Sequence, residues 1–161
     1  MTMRIGNGYD VHRLVEGRPL IIGGVTIPWS MGLDGHSDAD VLLHAICDAC
    51  LGALAKGDIG QHFPPSDDQY ENMDSREFVR AISRMIAEDR WTVANLDCII
   101  VAQKPKMLPH LAQMREHLGA DLGVGVDQVN IKATTTEGLG FAGEEKGIAA
   151  YAVVLLERDT A

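Results

Sequence analysis

Apolar positions along this chain recur with two periods, two residues in some stretches and about 3.6 in others, and one stretch is apolar almost all round. Val41, Leu42, Leu43, Ala45, Ile46, Ala49, Leu51, Ala53 and Leu54 predict a helix that ends near Gly57 and has little polar face. Such a helix is buried. Asp40, His44 and Asp48 interrupt it at four-residue intervals, which places them on one face. Buried polar groups must be paired or must bind something. The stripe therefore reads as satisfied core groups, as a subunit contact, or as a metal ligand flanked by supporting carboxylates. The polar run Gly35-His36-Ser37-Asp38-Ala39 leads into it.

Upstream, residues 4–14 read as extended, and Asp10 and His12, two apart, share a strand face. Residues 20–22 and 25–27 form a hairpin through Gly23-Gly24, followed by a loop over 28–35. Downstream, residues 58–68 are a polar loop stiffened by Pro64 and Pro65. Asp74 with Glu77 suggests a capping box for an amphipathic helix carrying Phe78, Ile82, Met85 and Ile86 to about Asp89, read as purely structural. Residues 96–102 predict a strand. Pro109 opens a helix with Leu111, Met114, Leu118 and Leu122 on its apolar face. Residues 121–127 turn, 129–134 form a strand, and 148–156 form a buried strand. Gly138-Leu139-Gly140-Phe141-Ala142-Gly143 fits a GxGxxG string, but a strand follows it where a dinucleotide site needs a helix. The order predicts an α/β (α+β) two-layer sandwich: one mixed sheet with helices on one face, a single domain over 1–161. The open sheet face needs cover, which points to an oligomer.

The net charge of −9 argues against a nucleic-acid partner held through a basic surface. An anionic substrate must then be gripped locally, by metal, backbone N–H groups or a few lysines. Three cysteines without a secretory signal fit a reducing compartment. Cys47 and Cys50 have redox-pair spacing, but they lie inside the predicted helix with no second pair. No apolar leader and no membrane-length apolar window is present, so the expectation is a cytoplasmic protein, or the mature form of an organelle protein, with no membrane partner.

Asp10 and His12 can chelate one divalent ion, with His44 as third ligand. Two imidazoles and a carboxylate suit zinc with a fourth position open. Lys104-Pro105-Lys106 reads as a phosphate grip or as a solvated turn, and Thr134, Thr135, Thr136 and Glu137 close a strand with hydroxyls and a carboxylate.

Taken together, five ordered motifs resemble the 2-C-methyl-D-erythritol 2,4-cyclodiphosphate synthase family over nearly the whole chain. They are Gly8-Tyr9-Asp10-Val11-His12, the run from Gly35 through His44 to Ala45, Gly57-Asp58-Ile59-Gly60 with Phe63-Pro64-Pro65-Ser66-Asp67, Ala102-Gln103-Lys104-Pro105-Lys106-Met107, and Lys132-Ala133-Thr134-Thr135-Thr136-Glu137 with Leu139-Gly140-Phe141.

The resemblance implies zinc on Asp10, His12 and His44, and magnesium or manganese on Glu137 at the diphosphate. It implies that His36 and Thr135 stabilise the transition state, with His36 and Ser37 binding substrate from a mobile loop over it. Substrate binding is implied for Asp10, Val11 and His12, and the methylerythritol part for Asp58, Ile59, Gly60, Phe63, Pro64, Pro65, Ser66 and Asp67. The cytidine diphosphate part falls to Ala102, Gln103, Lys104, Pro105, Lys106, Met107, Leu108, Thr134, Thr135, Thr136 and Glu137, with Phe141 also at the substrate. It further implies a homotrimer with active sites between subunits.

The implied reaction takes 4-diphosphocytidyl-2-C-methyl-D-erythritol 2-phosphate to the cyclic diphosphate and CMP, by attack of the substrate's own phosphate. Asp40 and Asp48 are then expected to be partners of His44, either supporting it behind the metal or sharing its helix face. Glu144 and Lys146 stand where many relatives carry Arg and then Glu, which implies weak or absent isoprenoid-diphosphate binding on the trimer axis. Two other readings use the same ligands: a metal-dependent phosphohydrolase with a water nucleophile, and a non-enzymatic metal-binding trimer.

Overall fold

Two glycines in the first strand set how closely the central helix lies on the sheet. The computed structural model describes residues 1–158. In chain order its elements are β1 (Thr2–Glu16), β2 (Leu20–Ile22), β3 (Val25–Ile27), β4 (Met31–Leu33), α1 (Val41–Leu54), α2 (Ile59–His62), α3 (Ser75–Glu88), β5 (Thr92–Val101), α4 (Leu111–Leu122), β6 (Val129–Thr134), α5 (Gly140–Gly143) and β7 (Gly147–Arg158). The main sheet runs β4-β1-β7-β5-β6. Among the described residues only β5 and β6 pair in parallel; the other pairs are antiparallel. The mixed sheet is as expected. The hairpin β2–β3 departs from the expectation of a single sheet, because it forms a separate two-stranded one.

Strand alternation puts Gly6, Gly8, Asp10 and His12 on one face of β1. A Cβ on Gly6 would stand 1.9 Å from the Ala49 carbonyl oxygen, and one on Gly8 would stand 1.9 Å from that of Ala45. The missing side chains let the α1 backbone rest on β1. That contact carries His44, at the start of α1, over the next two residues of the same strand face. The rest of α1 explains its burial: eleven of its side chains enter the core.

The opposite sheet face is uncovered. Ile5 is 70% exposed and Tyr9 45%, and Val11, Tyr151 and Val153 share that apolar surface. Tyr9 pairs with Tyr151 across β1 and β7, ring centroids 4.9 Å apart.

Several boundaries differ from the sequence reading for local reasons. α1 stops at Leu54 because Ala55 turns left-handed, φ 57°, and caps it two residues before Gly57. Asp40 lies outside the helix as its N-cap, accepting the Leu43 N–H at 3.1 Å. The loop over 28–35 contains β4, and the loop over 58–68 contains α2, capped by Asp58. Asp74 does cap α3, through the Arg76 N–H. Glu77 pairs with Arg80 rather than completing a capping box. Arg76 forks onto Asp121 at 2.7 and 2.9 Å, tying α3 to α4. All three cysteines are free and buried, and burial raises their thiol pKa values, so the Cys47–Cys50 spacing serves packing. No helix among the described residues is long and apolar enough to cross a membrane.

Candidate active site

Asp10 Oδ2, His12 Nε2 and His44 Nδ1 converge on one point. Their separations are 2.8 Å for Asp10 to His12, 3.2 Å for Asp10 to His44 and 3.2 Å for His12 to His44. Donors bound to one ion at about 2.0–2.1 Å with tetrahedral angles sit about 3.3 Å apart. The measured triangle is close to that. Among the described residues this is the one cluster of three His, Cys, Asp or Glu side chains that could hold a metal ion.

The donor atoms are aimed from behind. His12 Nδ1 lies 2.7 Å from the Asp34 carbonyl, so it donates there and leaves Nε2 as a lone pair. His44 Nε2 lies 2.9 Å from Ser75 Oγ and 3.2 Å from Ser37 Oγ. Burial favours a neutral Asp10, but hydrogen bonds and charge from His12 and His44 outweigh it and hold the pKa at about 2. For His12 burial acts to lower the pKa, and the Asp10 contacts reverse this into a rise. Three lone-pair-bearing atoms at this spacing need a proton or a cation between them, which is the condition a divalent metal meets.

Asp40 and Asp48, expected to support His44, do other work. Asp40 is fully buried and accepts the N–H groups of Gly23 at 2.9 Å and Gly24 at 2.7 Å, clamping the hairpin to the start of α1. Burial, then the charge of Asp38, pushes its pKa up to about 7 against those bonds. Asp48 accepts the Ile59 N–H at 2.7 Å. Asp40 caps α1 and so does not point along its face, while Asp48, inside α1, turns to the start of α2.

A pocket opens beside the triad, lined by His12, His36, Ser37, His44, Ile59, Gly60, Phe63, Pro65, Tyr70 and Phe78. Phe63, Tyr70 and Phe78 pack ring on ring, with centroids 4.7–5.8 Å apart. No motif in the sequence marks Tyr70, Phe78 or Ser75 as site residues. The apolar phase of α3 marks Phe78 as core, and only its position near the helix start hints at more. Of the expected residues, Asp58 and Asp67 spend their carboxylates on local turns, capping Gln61 and Gln69, and Pro64 and Ser66 do not line the pocket.

A second pocket is lined by Ala102, Gln103, Pro105, Lys106, Met107, Leu108, Ala133, Thr134 and Thr135. Lys104 points away, to Glu145 at 3.4 Å. Thr136 Oγ1 donates to the Leu139 carbonyl, and Glu137 is exposed, apart from the triad. Val11 faces the opposite side of β1 from Asp10 and His12. Phe141 lies over the open sheet face with Tyr9 and Tyr151. Glu144 and Lys146 pair with each other at 2.5 Å. Sheet register fixes how far apart the two pockets are. Asp10 stands opposite Ala150, Ala150 opposite Ile100, and Ile100 opposite Ala133. Three strand spacings, about 14 Å, therefore separate the Asp10–His12–His44 triad from the Ala133 pocket.

Comparison with known proteins places this arrangement. Residues 3–157 match the YgbB family. The chain is 61% identical over 156 residues to the 2-C-methyl-D-erythritol 2,4-cyclodiphosphate synthase of Thiobacillus denitrificans, covering 97% of this chain and 98% of that one. Among solved structures it resembles the bifunctional IspDF of Campylobacter jejuni, with TM-score 0.94 and 39% identity, over 98% of this chain and 43% of that longer one. It also resembles the CDP complex of IspF from Plasmodium falciparum, with TM-score 0.86 and 33% identity, over 98% of this chain and 97% of that one.

Proposed function

This chain belongs to the YgbB family, and from that premise we propose how its site does its chemistry. Its activity is cyclodiphosphate synthesis for isoprenoid precursors. In our reading the substrate is 4-diphosphocytidyl-2-C-methyl-D-erythritol 2-phosphate. An oxygen of its 2-phosphate attacks the β-phosphorus of its own diphosphate. The P–O bond to the CMP phosphate breaks, and CMP leaves with the electron pair. This makes the enzyme a phosphorus–oxygen lyase, and no protein nucleophile is needed.

The observation that carries the reading is the convergence of Asp10, His12 and His44 beside an aromatic-walled pocket. These residues would hold zinc, and Glu137 a magnesium or manganese ion. Bound there, the metals supply Lewis acidity and charge neutralisation for two phosphates brought together. The chain's own part is placement. His36 and Ser37 close over the reacting phosphates, and Thr135 adds a hydroxyl at the transition state. The pocket of Ile59, Gly60 and Phe63 takes the methylerythritol part. Ala102 through Leu108 with Thr134 take the cytidine diphosphate, in keeping with the CDP in the Plasmodium relative. Holding both phosphates in reach makes the attack intramolecular, worth about 7–11 kcal/mol at best.

The span between the two pockets supports composite sites in a homotrimer. The diphosphate links the two halves of the substrate directly, and a neighbouring copy can bring its nucleotide pocket against this chain's metal ligands. The apolar face of Ile5, Tyr9, Val11, Tyr151 and Val153 is the surface such an assembly would cover. We take the chain as one domain that acts in the cytoplasm.

Phosphorus NMR of the reaction with zinc and magnesium tests the proposal. CMP together with two coupled cyclic-diphosphate resonances is the expected result. CMP with an open-chain phosphate would instead make water the nucleophile and the protein a phosphohydrolase.

A further inference from the structure

We infer that Ser75 and Asp38 form a positioning relay that fixes which nitrogen of His44 faces the metal ligands. The inference rests on reading Asp10, His12 and His44 as those ligands. Ser75 is the first residue of α3 and is 0% exposed. Its hydroxyl touches two groups, His44 Nε2 at 2.9 Å and Asp38 Oδ1. Asp38 also accepts the N–H of Ser75 at 3.0 Å and the N–H of Asp40 at 3.1 Å.

The direction of each bond follows from donor counting. A carboxylate offers only acceptors, so the Ser75 hydroxyl hydrogen goes to Asp38. The hydroxyl then has only lone pairs left for His44. Nε2 must therefore carry the hydrogen, and Nδ1 keeps its lone pair, aimed at Asp10 and His12 at 3.2 Å. Ser37 Oγ, 3.2 Å from the same Nε2, already accepts the Ala39 N–H and adds a weaker second contact. Turning the ring over would leave Ser75 facing a carbon atom. Three chain segments thus meet at one imidazole: the polar run before α1, the start of α3 and α1 itself. Outer partners of this kind orient a ligating histidine and raise its basicity.

Nitrogen-15 NMR of histidine-labelled, metal-free protein tests the relay directly. His44 should be the Nε2–H tautomer, and an Nδ1–H tautomer would overturn the proposal whatever binds at the site. Zinc affinity, measured by chelator competition, gives the second readout. Ser75→Ala and Asp38→Asn should each weaken zinc about 10–100-fold and lose the single tautomer. Ile82→Val, a core change on the same helix, should leave affinity within about twofold and so separates the relay from general loosening of α3. Zinc bound equally well by wild type and Ser75→Ala would overturn the relay. A wild-type protein with the Nε2–H tautomer but no zinc binding would sink the metal reading and leave the relay standing. If Ser75→Ala does not fold, the wild-type tautomer and the Asp38→Asn affinity still decide.

Discussion

The carboxylate of Asp48 holds the backbone N–H of Ile59 at 2.7 Å. Asp48 sits one turn beyond His44, yet it serves the pocket wall rather than that imidazole. Asp48→Ala should leave zinc affinity unchanged and release α2, which carries Ile59 and Gly60 of the pocket. A hydrogen bond to a charged group is worth about 1.5–3 kcal/mol. Steady-state kinetics should show KM up by about tenfold or more, with a smaller change in kcat.

Arg18 donates from Nη1 to the Gly35 carbonyl at 2.9 Å and from Nη2 to the Ser37 carbonyl at 2.7 Å, gripping both sides of His36. A lysine ammonium has N–H donors but no rigid planar fork matched to two carbonyls at fixed spacing. Arg18→Lys should lower kcat about tenfold, as the loss of one charged hydrogen bond predicts. Unchanged turnover would mean that the His36 loop holds itself.

Metal affinity should depend on pH through the imidazoles. Asp10, held at about pKa 2, is ionised across the working range and does not compete. His12, raised above its ordinary 6.5, is protonated in the metal-free protein at and somewhat above that pH. Zinc must displace that proton. Apparent affinity, followed by chelator competition, should be flat at alkaline pH and fall as pH drops through the His12 pKa, by at least about tenfold per unit. Folding of the metal-free protein follows the same two groups, with His12 acting in the opposite direction. The His12 contribution to stability of the metal-free protein is fully present below 6.5 and is lost as pH rises through the raised value. The Asp10 contribution is present above 3.8 and lost as pH falls towards 2.

Composite sites can be tested by mixing. His44→Ala and Lys106→Ala should each be inactive alone, since each trimer would lack one half of every site. Unfolded together and refolded, they should regain about a quarter of wild-type turnover, the chance that an intact metal half meets an intact nucleotide half at random. No recovery would place both halves in one chain.

Gly8→Ala should be severe for so small a change. Its methyl would stand 1.9 Å from the Ala45 carbonyl oxygen, a backbone atom. Overpacking of this kind costs about 1–3 kcal/mol and sometimes more. Urea denaturation should show that loss, and zinc affinity should fall with it because α1 must lift.

Much of this site can be read from the chain because its ligands obey simple periods. Asp10 and His12 alternate on a strand, His44 rides a helix that is otherwise apolar, and the register of β1 against α1 brings them together. Asp40 misleads because spacing cannot tell a cap from a helical face. Ser75, Tyr70 and Phe78 are hidden because a small hydroxyl at a helix start and aromatics in an apolar phase look like ordinary packing. Arg18 is hidden because its partners are backbone carbonyls, which carry no side-chain signature. The separate β2–β3 sheet is equally silent, since hairpin signals say nothing of what lies beside the hairpin.

In the proposed trimer, the bare apolar face across β1 and β7 would tie the life of a single chain to the number of its siblings. On the proposed trimer, each copy is both catalyst and lid for the next, and mass action couples folding to abundance. At low copy number the sheet faces water and the chain is prey to proteases and sticky encounters. Above a threshold concentration the copies shelter one another, so a modest fall in synthesis would cut working enzyme more than proportionally.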